Sequence, residues 1–155
     1  MDQGRMMNGH AELHRIHTRG FTLIELMVAV AIVAIIAAIA YPNYLKQVRD
    51  SRRTTAITNL LNMSSQLEKY YSTNNVYPAS LTYMGYSTTV YVVPNASNPY
   101  YDISYGVNTT MTSFTLTANP VGDQAQDACG SFSLSSLGIK SVSSTTQSVS
   151  NCWGN

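Results

Sequence analysis

The chain has 155 residues, with 9 lysines and arginines against 8 aspartates and glutamates, and only 11% of its residues are charged. That length holds one domain rather than two, and the near-balanced charge argues against a conventional nucleic-acid binder, which carries a strong positive excess. Serine, threonine, asparagine and 11 tyrosines supply the polarity instead, a composition suited to an exposed surface and to interfaces where a ring packs while its hydroxyl stays wet.

Taken in chain order, the first informative segment is RIHTRGFTLIELMVAVAIVAIIAAIAYPNYL, residues 15–45. From Leu26 to Leu45 there are 20 consecutive uncharged residues, enough for a helix to cross a hydrocarbon core of about 30 Å. One acid, Glu25, stands at the head of this run. A carboxylate at membrane depth costs on the order of 3 kcal/mol and calls for a partner. A secretory signal peptide would have a shorter apolar core followed by a small-residue cleavage site. Here the run continues toward a charged helix, and the nearest glycine precedes it. A simple signal anchor accounts for the run but not for Glu25 five residues after Gly20, with Phe21 between them.

GFTLIE, Gly20 to Glu25, resembles the processing site of a type IV prepilin. The resemblance implies that a membrane prepilin peptidase cuts between Gly20 and Phe21 and methylates the new N-terminal Phe21. Residues 1–20 are then a leader that is removed. His10, His14 and His17 would share one helix face, a spacing conceivable for a metal, but the resemblance discards them with the leader. Glu25 is implied to compensate the positive N-terminus, in its own subunit or a neighbour, during assembly.

One long helix is expected from Phe21 to about Tyr71, a rod of roughly 75 Å at 1.5 Å per residue. Its first half, residues 21–45, is apolar all round and serves as a transmembrane and assembly helix. The second half is amphipathic: Ile57, Leu60, Leu61, Leu67 and Tyr71 recur at three- and four-residue steps, with Arg53, Asn62, Gln66 and Lys69 directed elsewhere. Pro42 lacks an N–H and crowds the carbonyl of Ala38, so a kink is expected; the pilin resemblance adds local melting of 38–43 on assembly. Lys46, Arg49, Arg52 and Arg53 against Asp50 make KQVRDSRR a net plus three. Those charges suit lipid headgroups, acids of neighbouring subunits or DNA.

Residues 46–155 read as the globular domain: amphipathic half-helix, loop, sheet and C-terminal segment. Asn74 and Asn75 stop the helix, and Tyr77–Pro78 forces an extended step. LEKYYSTNNVYPASL resembles the helix-end and loop shared by type IV minor pilins and major pseudopilins. Strands are expected at 88–93, at Tyr101–Tyr105 alternating with Asp102 and Ser104, at Phe114–Ala118, and through Phe132 and Leu134 to a final strand carrying Ile139 and Val142. The fold class is therefore α+β, a long N-terminal helix on a C-terminal antiparallel sheet of about four strands, the type IV pilin fold.

DACGSFSLSSLGIKS, ending in NCW, resembles the C-terminus of PilE-type minor pilins, where a cysteine pair ties the final segment to the sheet. Cys129 and Cys152 are the only cysteines. In an exported chain an even pair most simply forms one disulfide; two free thiols or a half-formed metal site are the alternatives. Asp123 and Asp127 could approach calcium, but that ion wants six to eight oxygens, and a solvated acid pair is the simpler reading. No cofactor, metal or catalytic constellation is expected, and no enzyme.

The implied function is a structural subunit of a type IV pilus, a minor pilin, in the inner membrane before assembly and in the extracellular filament after it. Its partners would be other pilin subunits, the prepilin peptidase, the inner-membrane assembly platform and the membrane itself. A major pilin, a type II secretion pseudopilin and a DNA-uptake pilin are the alternatives. After Lys69 the only basic residue is Lys140, against Asp102, Asp123 and Asp127, which argues against direct DNA binding.

Overall fold

The computed structural model describes residues 20–86, 90–95 and 97–154. Helix α1, Leu23–Asn74, is followed by a 3-10 turn at Leu81–Met84, strands β1 Val90–Val93, β2 Tyr101–Val107 and β3 Phe114–Pro120, and a second 3-10 turn at Gly122–Gln126. Strands β4 Phe132–Ser135 and β5 Lys140–Val142 and the short helix α2, Val149–Trp153, complete the chain. Two compact units are distinguished, Met1–Ala40 and Tyr41–Asn155. The leader histidines lie outside the described residues.

In the first unit, the described residues from Leu23 onward are helical and every side chain is exposed. Val28, Ile32 and Ile36 are as open as the polar residues of a surface helix. The helix is long and apolar enough to cross a membrane. An apolar stripe on all sides of one helix has no burial of its own and requires lipid or other helices around it.

The second unit holds the core. The buried residues of α1 are Ala56, Leu60, Met63 and Leu67, steps of four, three and four that keep one stripe on one face. They join Tyr101, Ile103, Phe114, Leu116, Ala118, Phe132 and Leu134 in a single cluster. The sheet is a five-stranded antiparallel meander in the order β1-β2-β3-β4-β5, in line with the expected antiparallel sheet of about four strands and with the short first strand at 90–93. Its register sets buried residues opposite one another: Ile103 faces Ala118, Leu116 faces Leu134, and Ala118 faces Phe132. Period-two alternation thus builds one apolar face continuous across three strands.

Four sequence expectations change. Leu61 is 46% exposed, because it lies one position beyond Leu60, about 100° around the helix; Met63 and Ala56 take the places assigned to it. Arg53 turns inward rather than away. Ile139 is 62% exposed and precedes β5 instead of belonging to it. Asp127 is buried, not solvated. Helix α1 runs unbroken through Pro42 and ends at Asn74, with Asn75 at φ 57°, a left-handed step asparagine tolerates at a helix C-terminus.

Candidate functional site

The expected assembly residues gather at the start of α1. Thr22 precedes the first helical residue, and the Glu25 N–H donates to its Oγ1 at 3.3 Å while the Leu26 N–H donates to its carbonyl at 3.2 Å. Thr22 therefore caps the helix, satisfying one of the donors that a helix N-terminus leaves open. Thr-x-x-Glu is also the sequence signature of a capping box, a signal present in the sequence that identifies Thr22 as part of the motif. Glu25 falls in the first turn, where the helix dipole favours negative charge. Gly20, Phe21, Thr22 and Glu25 line one concavity. Pro42, Cys129 and Cys152 belong to the second unit.

In that unit, a buried polar network centres on Asp127. Arg53 donates through Nε to Oδ2 at 3.0 Å and through Nη2 to Oδ1 at 2.6 Å, a two-pronged grip on the carboxylate. The Tyr101 hydroxyl donates to Oδ2 at 3.3 Å, Gln124 Nε2 to the same oxygen at 3.0 Å, and the Cys129 N–H to Oδ1 at 3.0 Å. Burial alone would push the Asp127 carboxyl up, but Arg53 and the hydrogen bonds win and hold it below the ordinary carboxylate range. Burial works against the charge on Arg53 as well, and Asp127 and Asp50 outweigh it, so the guanidinium sits above its ordinary value. The Tyr101 phenol is pushed up, chiefly by burial. Gln124 also donates to the Arg49 carbonyl at 3.1 Å, while its own Oε1 is buried with no partner among the described residues.

This network ties α1 to the segment that carries Cys129. Cys129 and Cys152 are bonded, with Cα atoms 5.8 Å apart. Closing a loop of this length stabilises by roughly 3 kcal/mol in the chain-entropy picture. Helix α2 brings Cys152 into place. Ser148 caps it by accepting from the Asn151 N–H, and Gly154 ends it in the left-handed region. The Trp153 indole donates to the Ser141 carbonyl at 3.2 Å and meets the Phe132 ring edge-on at 5.8 Å. Gly130, at φ +65°, leaves no room for a Cβ, which would stand 2.2 Å from Ser143 Oγ. That oxygen accepts from the Ser131 N–H at 2.8 Å.

The loop after α1 is pinned by two tyrosines. Tyr77 donates to Glu68 at 2.9 Å and stacks edge-on with Phe114 at 4.8 Å; burial, then the bond to Glu68, pushes its phenol up to about 12. Tyr105 donates to the Pro78 carbonyl at 2.7 Å, and burial raises it to about 12 as well. Both phenols stay protonated donors at any physiological pH.

The geometry is that of a capped apolar helix leading into a cross-linked sheet domain. Comparison with known proteins gives the same class. Residues 15–41 match the prokaryotic N-terminal methylation motif. The chain is similar to a type IV pilin from Shewanella oneidensis whose structure is solved, at 31% identity, covering 64% of this chain and 94% of that one with a TM-score of 0.49. No curated protein matches the chain. Residues 42–133, more than half of the chain, match the family described as type IV minor pilin ComP, DNA uptake sequence receptor. The chain therefore belongs to the ComP family of type IV minor pilins.

Proposed function

We propose that this minor pilin is made as a prepilin, cut between Gly20 and Phe21, methylated at Phe21, and held in the inner membrane by the apolar half of α1. An assembly platform then moves it into a filament of other pilins that serves DNA uptake. The observation that carries the reading is the exposure of every apolar side chain from Leu23 to Ile39, beginning at a capped turn that holds Glu25. Such a helix is stable only among lipids or other helices. In a dry bundle an unpaired carboxylate is costly, and the amine freed at Phe21 is a cation at the same end of the chain. Pairing them, within a subunit or between neighbours, satisfies both charges and sets the register of the incoming subunit.

The family description names a DNA receptor, and that match favours a second reading in which the head domain touches DNA directly. Charge supports participation in the uptake filament more than direct contact. Beyond Lys69 the only base is Lys140, whose Nζ lies 5.3 Å from the Trp153 ring centre, while phosphate contacts depend on clustered lysine and arginine.

Quantitative mass spectrometry of filaments sheared from the cell surface tests the main reading. A methylated Phe21 N-terminal peptide at low abundance among the subunits is the expected result. Absence of that peptide from surface filaments would overturn it. Transformation assays on a deletion strain, beside salt-dependent DNA binding by the purified chain, separate the two roles in uptake. Lost transformation without DNA binding is expected, and binding with a steep salt dependence would favour the receptor.

A further inference from the structure

We propose that a cleft beside the start of the second unit binds the phosphodiester headgroup of an anionic phospholipid. The inference rests on the membrane insertion proposed above and adds a specific lipid site to it. The cleft has a volume of about 240 Å³. Arg49, Arg52 and Asp123 are its charged walls. Two guanidiniums against one carboxylate leave a single positive charge, the complement of a phosphodiester monoanion. A free phosphate dianion would leave the site negative.

Both arginines are held in place without being neutralised. Arg49 donates through one Nη to Gln126 Oε1 at 2.6 Å, which leaves most of its five N–H donors available. Arg52 lies over the Tyr100 ring, its Cζ 5.3 Å from the centre, an attraction that consumes no hydrogen-bond donor. The neighbouring Arg53 is different: it is committed to Asp127 and Asp50 and contributes no free charge.

The remaining walls and the position along α1 favour a lipid over a soluble anion. Tyr41, Leu45 and Val48 give the cleft an apolar side, fit for the glycerol and upper acyl region. Tyr41 and Tyr44 are each 65% exposed at the end of the uncharged run, where aromatic residues settle at a membrane–water boundary. Arg49 and Arg52 follow one and two turns later along the same helix, at headgroup level. Lys46, exposed between them and the apolar run, adds to the attraction.

The test is native mass spectrometry of the full chain extracted in mild detergent from membranes of phosphatidylglycerol and phosphatidylethanolamine. Retained phosphatidylglycerol is expected above its bulk ratio, falling about fivefold for each arginine replaced by glutamine, in line with the attraction of one surface cation to anionic lipid. Arg49→Gln also breaks the bond to Gln126. Arg52→Gln, with unfolding temperature measured alongside, is therefore the variant whose folding is least at risk. Lys69→Gln removes the same charge away from the cleft and should retain the lipid. Bulk-ratio retention by the wild-type chain, undiminished enrichment in Arg52→Gln, an equal loss in Lys69→Gln, or displacement of the lipid by inorganic phosphate would each overturn the site while leaving membrane insertion standing. Recovery of the chain from the soluble fraction would overturn both.

Discussion

Asp127 shows how much a single side chain can carry in a domain of this size. Its side chain is fully buried and that of Arg53 is 17% exposed, so removing the carboxylate strands a cation in a half-dry site. Asp127→Asn should cost about 3 kcal/mol, the low end of the range for a broken buried pair because Arg53 keeps some contact with water. Thermal unfolding of the detergent-solubilised chain measures this. The pH dependence has a definite sign. The carboxyl is held below its ordinary value when folded, so its contribution is complete above about pH 4 and is lost as pH falls through the depressed native value. Asp127→Asn should therefore flatten the acid side of the stability profile, and an unchanged acid limb would contradict the network. Gln124 and Tyr101 donate to the same Oδ2 that Arg53 grips and bring no charge of their own, which makes them supports of the pair.

At the scale of elements, α1 is two helices in one by chemistry. Its first half exposes its apolar side chains, and its second buries a narrow stripe. The stripe is specific to one residue in register: Leu60 is fully buried and Leu61 is 46% exposed. Leu60→Ala should cost about 2–5 kcal/mol, as a buried leucine truncated in a packed core does. Leu61→Ala should stay within about 0.5 kcal/mol. Equal losses in a denaturant titration would mean that the helix seats on the sheet in another rotation. The meander, with every strand bonded to its sequence neighbour, needs only short connections. The disulfide then ties the last element, α2, to the segment preceding β4.

For the whole molecule, the division of labour has a consequence that one substitution isolates. Glu25→Ala removes a charge from the first turn of α1, within the first unit, and leaves the sequence of the second unit unchanged. Processing at Gly20 and Phe21 and folding of the head should therefore proceed, while incorporation into filaments fails. Immunoblots of membranes and of sheared filaments check this; a processed chain at normal filament levels would refute the assembly role of Glu25. Thr22→Val offers a graded version, because it removes the cap that orders the same turn.

Much of this was legible in the sequence because the signals are local. GFTLIE, the uncharged run from Leu26 to Leu45 and the strand alternation around Tyr101 and Phe114 each declare themselves within a few residues of their own position, and with only two cysteines in the chain a single pairing was open to it. The inward turn of Arg53, the burial of Asp127 and the exposure of Leu61 were not legible. Arg53 and Asp127 are 74 residues apart, and only folding brings a charge from the helix against a carboxylate in the loop before Cys129. The choice of Met63 over Leu61 was decided by helix rotation against the sheet, since a 3.6-residue period admits several apolar stripes and packing selects one. The sequence by itself determined the class of the molecule and carries the N-terminal methylation motif over residues 15–41. The tertiary structure decided which charges are paired, Arg53 with Asp127 above all, because pairing depends on distances across elements that no local pattern encodes.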